Sequence, residues 1–319
     1  MNDMPSAKPA LLLLIDDLPE HALARLHAHF KVFRAAAGPT WDAELDAAAP
    51  HVRALLVKGG MVAVTAGDMA RLPGLGLICC LGAGFERVDV AAAAARGIAV
   101  TNGSGANSEC VADHAMGLVI ALMREFRAAD AAARDGRWQT SFPSPPRVSG
   151  KTLGIVGLGR IGMALAWRAQ AFHMPVLYHN RRPREDSPWE YVPDIETLAR
   201  RADVLVAILP GGPETRHQID RGVLEALGPS GYFINVGRGN AVDTDELVRA
   251  LAARTIAGAG LDVLESEPEV PAELAALPNV LLTPHVGGRS PESTSATLQQ
   301  AIDNLLAFHA GERLPNRVA

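Results

Sequence analysis

The chain has 319 residues, more than one typical domain needs and comfortable for two. A composition of 48% hydrophobic and 20% charged residues is that of a globular protein with real cores, and a net charge of -5 argues against a nucleic-acid binder. The apolar run Ala10 to Ile15 is too short to cross a membrane and meets Asp16 and Asp17 with no signal-peptide cleavage pattern. Cys79, Cys80 and Cys110 make neither a disulfide framework nor a metal-ligand set, so they read as core residues in a reducing cytoplasm, with no metal expected.

Short apolar runs alternate with helical patterns from the start. Leu11–Ile15, Ala54–Val57, Leu77–Leu81 and Ile98–Thr101 read as buried parallel strands, separated by helices over Glu20–His29, Trp41–Ala48, Ala66–Leu72 and Val90–Arg96. One long helix is expected from about Ser108 to Arg127, followed by a Pro- and Ser-rich surface loop, Gly136 to Gly150. The alternation then restarts, with strands at Thr152–Val156, Pro175–Tyr178, Val204–Ile208, Tyr232–Asn235, Ala259–Val263 and Val280–Thr283. Helices beginning near Arg160, Ile195, Arg221, Thr244 and Pro271 connect them, and a last helix covers about Glu292 to His309. The fold class expected is α/β, two Rossmann-like doubly wound parallel-sheet domains, with the chain's end returning to the first.

Gly157-Leu158-Gly159-Arg160-Ile161-Gly162 follows a strand and opens a helix, the setting in which G-x-G-x-x-G binds a dinucleotide. The first glycine allows a tight turn, the second lets backbone approach a pyrophosphate, and the third lets helix pack on strand. An NAD site usually carries an acid at the end of the next strand for the ribose 2′-hydroxyl. Here that strand runs into His179-Asn180-Arg181-Arg182. Guanidinium groups grip a 2′-phosphate that a carboxylate would repel, so NADP(H) is expected over NAD(H), with Asn180, Arg181 and Arg182 around the phosphate. A solvated basic turn is the plain alternative.

Three more segments stand at strand ends: Asn235 to Gly239, Gly260 to Pro268, and Thr283 to Gly288. In an open α/β sheet such ends gather at one crevice. Carbonyl reduction needs a proton donor and a holder for the substrate carboxylate; His285 suits the first and Arg238 the second. Glu267 beside the imidazole would favour its charged form.

These segments, with Val100-Thr101-Asn102 and Val111-Ala112-Asp113-His114-Ala115, resemble the D-isomer-specific 2-hydroxyacid dehydrogenase family over nearly the whole chain. The resemblance implies a catalytic set of Arg238, Glu267 and His285, with Asp262 near the nicotinamide carboxamide. It places Pro210, Thr215, Val236, Gly237 and Gly287 with the Gly157–Gly162 turn around the cofactor. It gives Lys58, Gly59 and Gly60, with Arg238 and His285, to the substrate. It also implies a flavodoxin-like substrate domain, 1–103 with 286–319, a dinucleotide-binding domain, 104–285, and a cytoplasmic homodimer. In similar enzymes an aromatic from the region of Trp138 and Phe142 reaches the partner subunit's pocket; ordinary dimer packing is the other reading.

Within the family the chain most resembles NADPH-using glyoxylate/hydroxypyruvate reductases, so the partner expected is a small 2-keto or 2-hydroxy acid. Phenylpyruvate-type and phosphoglycerate-type dehydrogenases, and a cofactor-sensing scaffold, are the alternatives. Gly237, where the family often has Ala, and Arg87, where Asp or Asn is commoner, are departures that bear on pocket shape.

Overall fold

The structure, a computed structural model, describes residues 8–15, 18–35, 43, 46–47, 49–139, 142 and 144–318. The chain divides into two compact units, one of residues 1–107 and 290–319, the other of 108–289. Most of the helix expected over Trp41–Ala48 lies outside the described residues.

The first unit begins with β1 (Ala10–Leu14), α1 (Glu20–His29), β2 (Lys31–Arg34), β3 (Ala54–Val57), α2 (Ala66–Arg71), β4 (Leu77–Cys80), α3 (Val90–Ala95) and β5 (Ala99–Thr101). The strands form one parallel sheet in the order β2-β1-β3-β4-β5, the flavodoxin-like arrangement. β3 and β4 are buried at every position, which is why they read as unbroken apolar runs. β2 was not expected, because an edge strand flanked by Lys31 and Arg34 and half open to solvent carries no such run. Short side chains set the helix starts: Thr65 and Asp68 form a reciprocal capping box on α2, and Asp89 caps α3.

The second unit holds α4 (Ser108–Met123), α5 (Phe126–Arg134), β6 (Leu153–Val156), α6 (Arg160–Ala171), β7 (Val176–His179), β8 (Glu190–Tyr191), α7 (Ile195–Arg201), β9 (Val204–Ala207), α8 (Arg221–Leu227), β10 (Tyr232–Asn235), α9 (Thr244–Ala252), β11 (Gly258–Leu261), α10 (Ala272–Ala275) and β12 (Val280–Leu282). Its seven parallel strands run β12-β11-β10-β9-β6-β7-β8, the dinucleotide-binding order with an added outer strand. Asp194, Asp220 and Asp243 cap α7, α8 and α9 through their side chains.

The single helix expected to reach Arg127 is instead two. The α4 helix ends at Met123, Glu125 takes a left-handed φ of 53°, and α5 sets off from Phe126. No Gly or Pro marks the break; the constraint is tertiary, since the buried face of α4 lies against β10 and β11 and ends where those strands begin. The chain closes with α11 (Pro291–Ala310), started by a Ser290–Ser293 capping box, whose Leu298, Ala301, Ile302 and Leu305 share the first unit's core with Leu11, Leu13, Leu56 and Leu77. No helix among the described residues is long and apolar enough to cross a membrane.

Candidate active site

The turn between β6 and α6 is shaped by its three glycines in three ways. Gly157 has φ +103°, and a Cβ there would lie 2.6 Å from the Ile208 carbonyl oxygen, so only glycine fits. Gly162 lies inside α6, where a Cβ would meet the Gly157 carbonyl oxygen at 2.7 Å. Around Gly159 a Cβ would meet nothing within 4 Å. The middle glycine thus faces open space at the start of α6, whose first amides have no intrahelical acceptors. A tight turn, an open approach and a helix N-terminus make a cradle that fits a dinucleotide pyrophosphate.

Behind this turn, Asn180 is already committed. Its Oδ1 accepts from Leu158 N–H at 2.7 Å, and its Nδ2 lies 3.5 Å from the Leu158 carbonyl oxygen. The Arg184 guanidinium also donates to that carbonyl, at 3.2 Å. Asn180 therefore braces the glycine turn. Arg181 pairs at 2.9 Å with Glu214, both largely exposed, and Arg182 is exposed. The sequence offered no acid following β7, yet the fold brings one there from a 3-10 turn, Pro213–Thr215, far along the chain. Thr215 closes that turn by donating to the Pro210 carbonyl at 2.7 Å.

Arg238, Glu267 and His285 lie in this same unit. The buried Asn235 shapes the turn carrying Arg238: its Oδ1 accepts from Gly237 N–H and its Nδ2 donates to the Arg238 carbonyl, both at 3.1 Å. A Cβ on Gly237 would stand 2.6 Å from the Leu209 backbone, so glycine there answers to crowding beside Val236 rather than to a ligand. His285 Nδ1 lies 2.8 Å from Glu267 Oε2, and Glu267 Oε1 accepts from Leu264 N–H at 2.9 Å. Burial would raise the Glu267 carboxyl, but hydrogen bonds with His285 and Leu264 and the positive charge of Arg238 hold it below its ordinary value. The carboxylate is thereby an acceptor for Nδ1, which leaves Nε2 of this half-exposed ring for a reactant.

His285 has a left-handed φ of 52°, unusual for a residue with a side chain, and its N–H points to the Asp262 carbonyl oxygen at 2.9 Å. Asp262 also takes its side chain to that turn. Its Oδ1 accepts from Thr283 Oγ1 at 2.6 Å and Val286 N–H at 3.0 Å, and its Oδ2 from Gly287 N–H at 2.9 Å. Burial would raise this carboxyl as well, yet the bonds from His114, Thr283 and the two amides outweigh it, and its pKa lies well below the carboxylate range.

In the other unit, the loop after β3 spends its carbonyls internally. Lys58 accepts from Met61 and Val62, Gly59 from Arg87, and the Arg87 guanidinium reaches the Met61 carbonyl at 2.9 Å. Among the described residues no protein acceptor takes the N–H of Gly59 or Gly60. A Cβ on Gly59 would strike Cys80 Sγ at 2.5 Å. Burial pushes that thiol up to about 12, with Cys79 and Glu86 adding to it, so it is an inert wall. Trp138 stands 74% exposed. No group of metal-ligating side chains occurs among the described residues.

A turn of this shape on a doubly wound sheet, with an imidazole–carboxylate pair at neighbouring strand ends, defines an oxidoreductase built around a nicotinamide dinucleotide. The comparisons agree. Residues 116–287 match the NAD binding domain of the D-isomer specific 2-hydroxyacid dehydrogenases. Glyoxylate/hydroxypyruvate reductase A of Arabidopsis thaliana is 37% identical over 304 residues, 95% of this chain and 97% of that one. Hydroxyphenylpyruvate reductase of Plectranthus scutellarioides is 38% identical over 304 residues, 95% of this chain and 97% of its own. The crystal structure of an NADPH-dependent glyoxylate/hydroxypyruvate reductase from Sinorhizobium meliloti, in complex with NADP and malonate, superposes with a TM-score of 0.89 at 38% identity, covering 98% of this chain and 97% of that one. The chain belongs to the D-isomer specific 2-hydroxyacid dehydrogenase family.

Proposed function

We propose that this enzyme reduces a small 2-keto acid of the glyoxylate/hydroxypyruvate class to the D-2-hydroxy acid, preferring NADPH to NADH. The observation that carries the reading is the 2.8 Å pair between His285 Nδ1 and Glu267, with Arg238 close enough to act on the same carboxylate. In this reading Arg238 holds the substrate carboxylate, and Lys58, Gly59 and Gly60 are the first unit's substrate-binding residues, acting through the two glycine amides. Glu267 fixes the ring of His285 by accepting at Nδ1, and His285 passes a proton from Nε2 to the carbonyl oxygen as it becomes a hydroxyl. The reduced nicotinamide, when bound, supplies the hydride.

The Gly157–Gly162 turn would hold the pyrophosphate, with Pro210, Thr215, Val236, Gly237, Asp262 and Gly287 about the remainder of the cofactor. Arg181 and Arg182 support the NADPH preference, since a 2′-phosphate carries more charge than the Glu214 carboxylate now on Arg181 and can replace it. Residues 1–103 with 286–319 would then serve the substrate and 104–285 the cofactor, in a cytoplasmic homodimer.

The test is steady-state oxidation of NADPH and NADH with glyoxylate, hydroxypyruvate and phenylpyruvate, for the wild type and for His285→Ala. Fast turnover of either smaller acid with NADPH, lost in His285→Ala while NADPH still binds, is the expected result. Faster turnover with phenylpyruvate would move the substrate to the aryl class. Preference for NADH would overturn the role of Arg181 and Arg182, and unimpaired His285→Ala would overturn the proton donor.

A further inference from the structure

His114 has no part in the reaction as read so far, although it is packed into the same end of the sheet. It lies on α4, and α4 runs antiparallel to β11 in a close register: Leu122 meets Gly258, Leu118 meets Gly260, and His114 meets Asp262. Four helical residues rise about 6 Å and two strand residues about 6.6 Å, so the row stays in step along the strand. The glycines of β11 let the helix come this close. A third leucine would continue the row; an imidazole stands there instead, opposite the first residue past the strand.

The proton order of this cluster follows from its acceptors. The Asp262 carboxylate only accepts, so the 2.6 Å contact with Thr283 Oγ1 takes the hydroxyl proton. The Thr283 oxygen is then left as an acceptor toward His114 Nε2 at 2.9 Å, and Nε2 must carry a hydrogen. That same Nε2 stands 3.3 Å from Asp262 Oδ1. The chain of donors thus runs from His114 to Thr283 to Asp262, and the carboxylate collects the amides of Val286 and Gly287 immediately beyond His285. A Cβ on Gly287 would lie 2.8 Å from Asp262 Oδ2 and 3.0 Å from His114 Cδ2, so the turn after His285 is moulded around the imidazole.

We propose that His114 is a positioning residue: as an Nε2–H donor it fixes Thr283 on Asp262, and through Asp262 it holds the left-handed turn on which His285 stands. The inference rests on the reading of His285 as proton donor. A left-handed backbone at a residue with a Cβ is uphill and persists only where its surroundings over-determine it. Here the over-determining contacts are the Asp262 main chain and carboxylate, and the carboxylate is oriented by Thr283 and His114. Without that orientation the turn relaxes, and a displacement near 1 Å at a reacting atom costs on the order of 100-fold in rate.

The test uses the full-length enzyme with NADPH and its best keto acid. His114→Phe keeps a ring and removes the donor, and His114→Gln restores an N–H donor. Thr283→Val removes the hydroxyl at equal shape, and Thr283→Ser keeps it. His114→Phe and Thr283→Val should each lower kcat by roughly 10- to 100-fold, with NADPH affinity changed by less than about threefold. His114→Gln and Thr283→Ser should recover kcat to within about threefold of wild type, and the double variant His114→Phe/Thr283→Val should be no slower than either single one. The proposal is overturned if Gln is as slow as Phe, if the losses fall on Tm with kcat intact, or if the two single losses multiply. Should His114→Phe fail to fold, the Gln, Val and Ser variants decide. His285→Ala is run alongside: full activity there removes the underlying reading, whereas an inactive His285→Ala beside fully active Thr283→Val removes this inference alone.

Discussion

Two glycines, each inside a helix with ordinary helical backbone, make opposite predictions when changed to Ala. Gly117 in α4 has nothing within 4 Å of where its Cβ would stand, and nothing opposes the gain in helix propensity, about 1 kcal/mol. Gly162 in α6 would place its Cβ 2.7 Å from the Gly157 carbonyl oxygen and 3.3 Å from Ile155 Cγ2. The nearer neighbour is main chain in a turn already fixed by Gly157 N–H to the His179 carbonyl and by Asn180 on Leu158, so it cannot swing aside. Overpacking of this kind costs about 1–3 kcal/mol, which matches or exceeds the propensity gain. We expect Gly117→Ala to raise the Tm of the transition belonging to residues 108–289 by about 2–4 °C for 1 kcal/mol. Gly162→Ala should leave Tm unchanged or lower it by up to about twice that amount, and should weaken NADPH binding about tenfold as the turn is pushed open, about 1.4 kcal/mol. Calorimetry of the free protein and fluorescence titration with NADPH measure both. A Gly162→Ala protein as stabilised as Gly117→Ala and binding normally would refute the close-approach argument for the third glycine.

Two further predictions concern the strand ends. Arg238→Lys should reduce kcat/KM by about 100-fold, because Lys is a point charge without a planar fork, while Asn235 still holds the backbone of the turn; a loss under threefold would show that a single positive charge suffices. Asp262 has its folded pKa depressed below the unfolded value near 3.9, so it adds stability above that pH and loses it as pH falls further. The gap in urea-unfolding free energy between wild type and Asp262→Asn should therefore be constant near neutrality and narrow below about pH 4, by at most about 1.4 kcal/mol per pH unit. A gap that stays constant to pH 3 would remove the carboxylate's linkage.

Where chemistry is local, the chain could be read directly. The apolar run into Gly157 gave away β6 and the start of α6, and the helices expected near Ile195, Arg221 and Thr244 do begin there, capped by Asp194, Asp220 and Asp243. The two doubly wound sheets followed from the alternation itself. What escaped was decided by neighbours distant in sequence. β2 and the two-residue β8 are edge strands with charged ends, Lys31, Arg34 and Glu190, and no apolar run to betray them. The stop after Met123 has no breaker residue, being set by the length of sheet that α4 covers. At the candidate site, residues could be nominated from strand ends, and Glu267 could be set beside His285, but the other pairings could not be read. Glu214 reaches Arg181 across 33 positions and His114 reaches Thr283 across 169, and neither separation leaves a trace in a window of sequence.

Asn180 has a consequence for altering this enzyme. In sites that take NAD, the corresponding strand end offers its side chain to the ribose. Here the amide is instead a structural tie, accepting from Leu158 N–H with one end and directing the other at the Leu158 carbonyl. Replacement by Asp would keep the acceptor, lose the donor, and set a carboxylate oxygen against that carbonyl. Coenzyme selectivity and the stiffness of the glycine turn are therefore joined at one position. A change of coenzyme preference that begins at Asn180 must rebuild the turn as well, whereas Arg181 and Arg182, whose side chains bear on solvent and on Glu214, leave the turn untouched when they are changed.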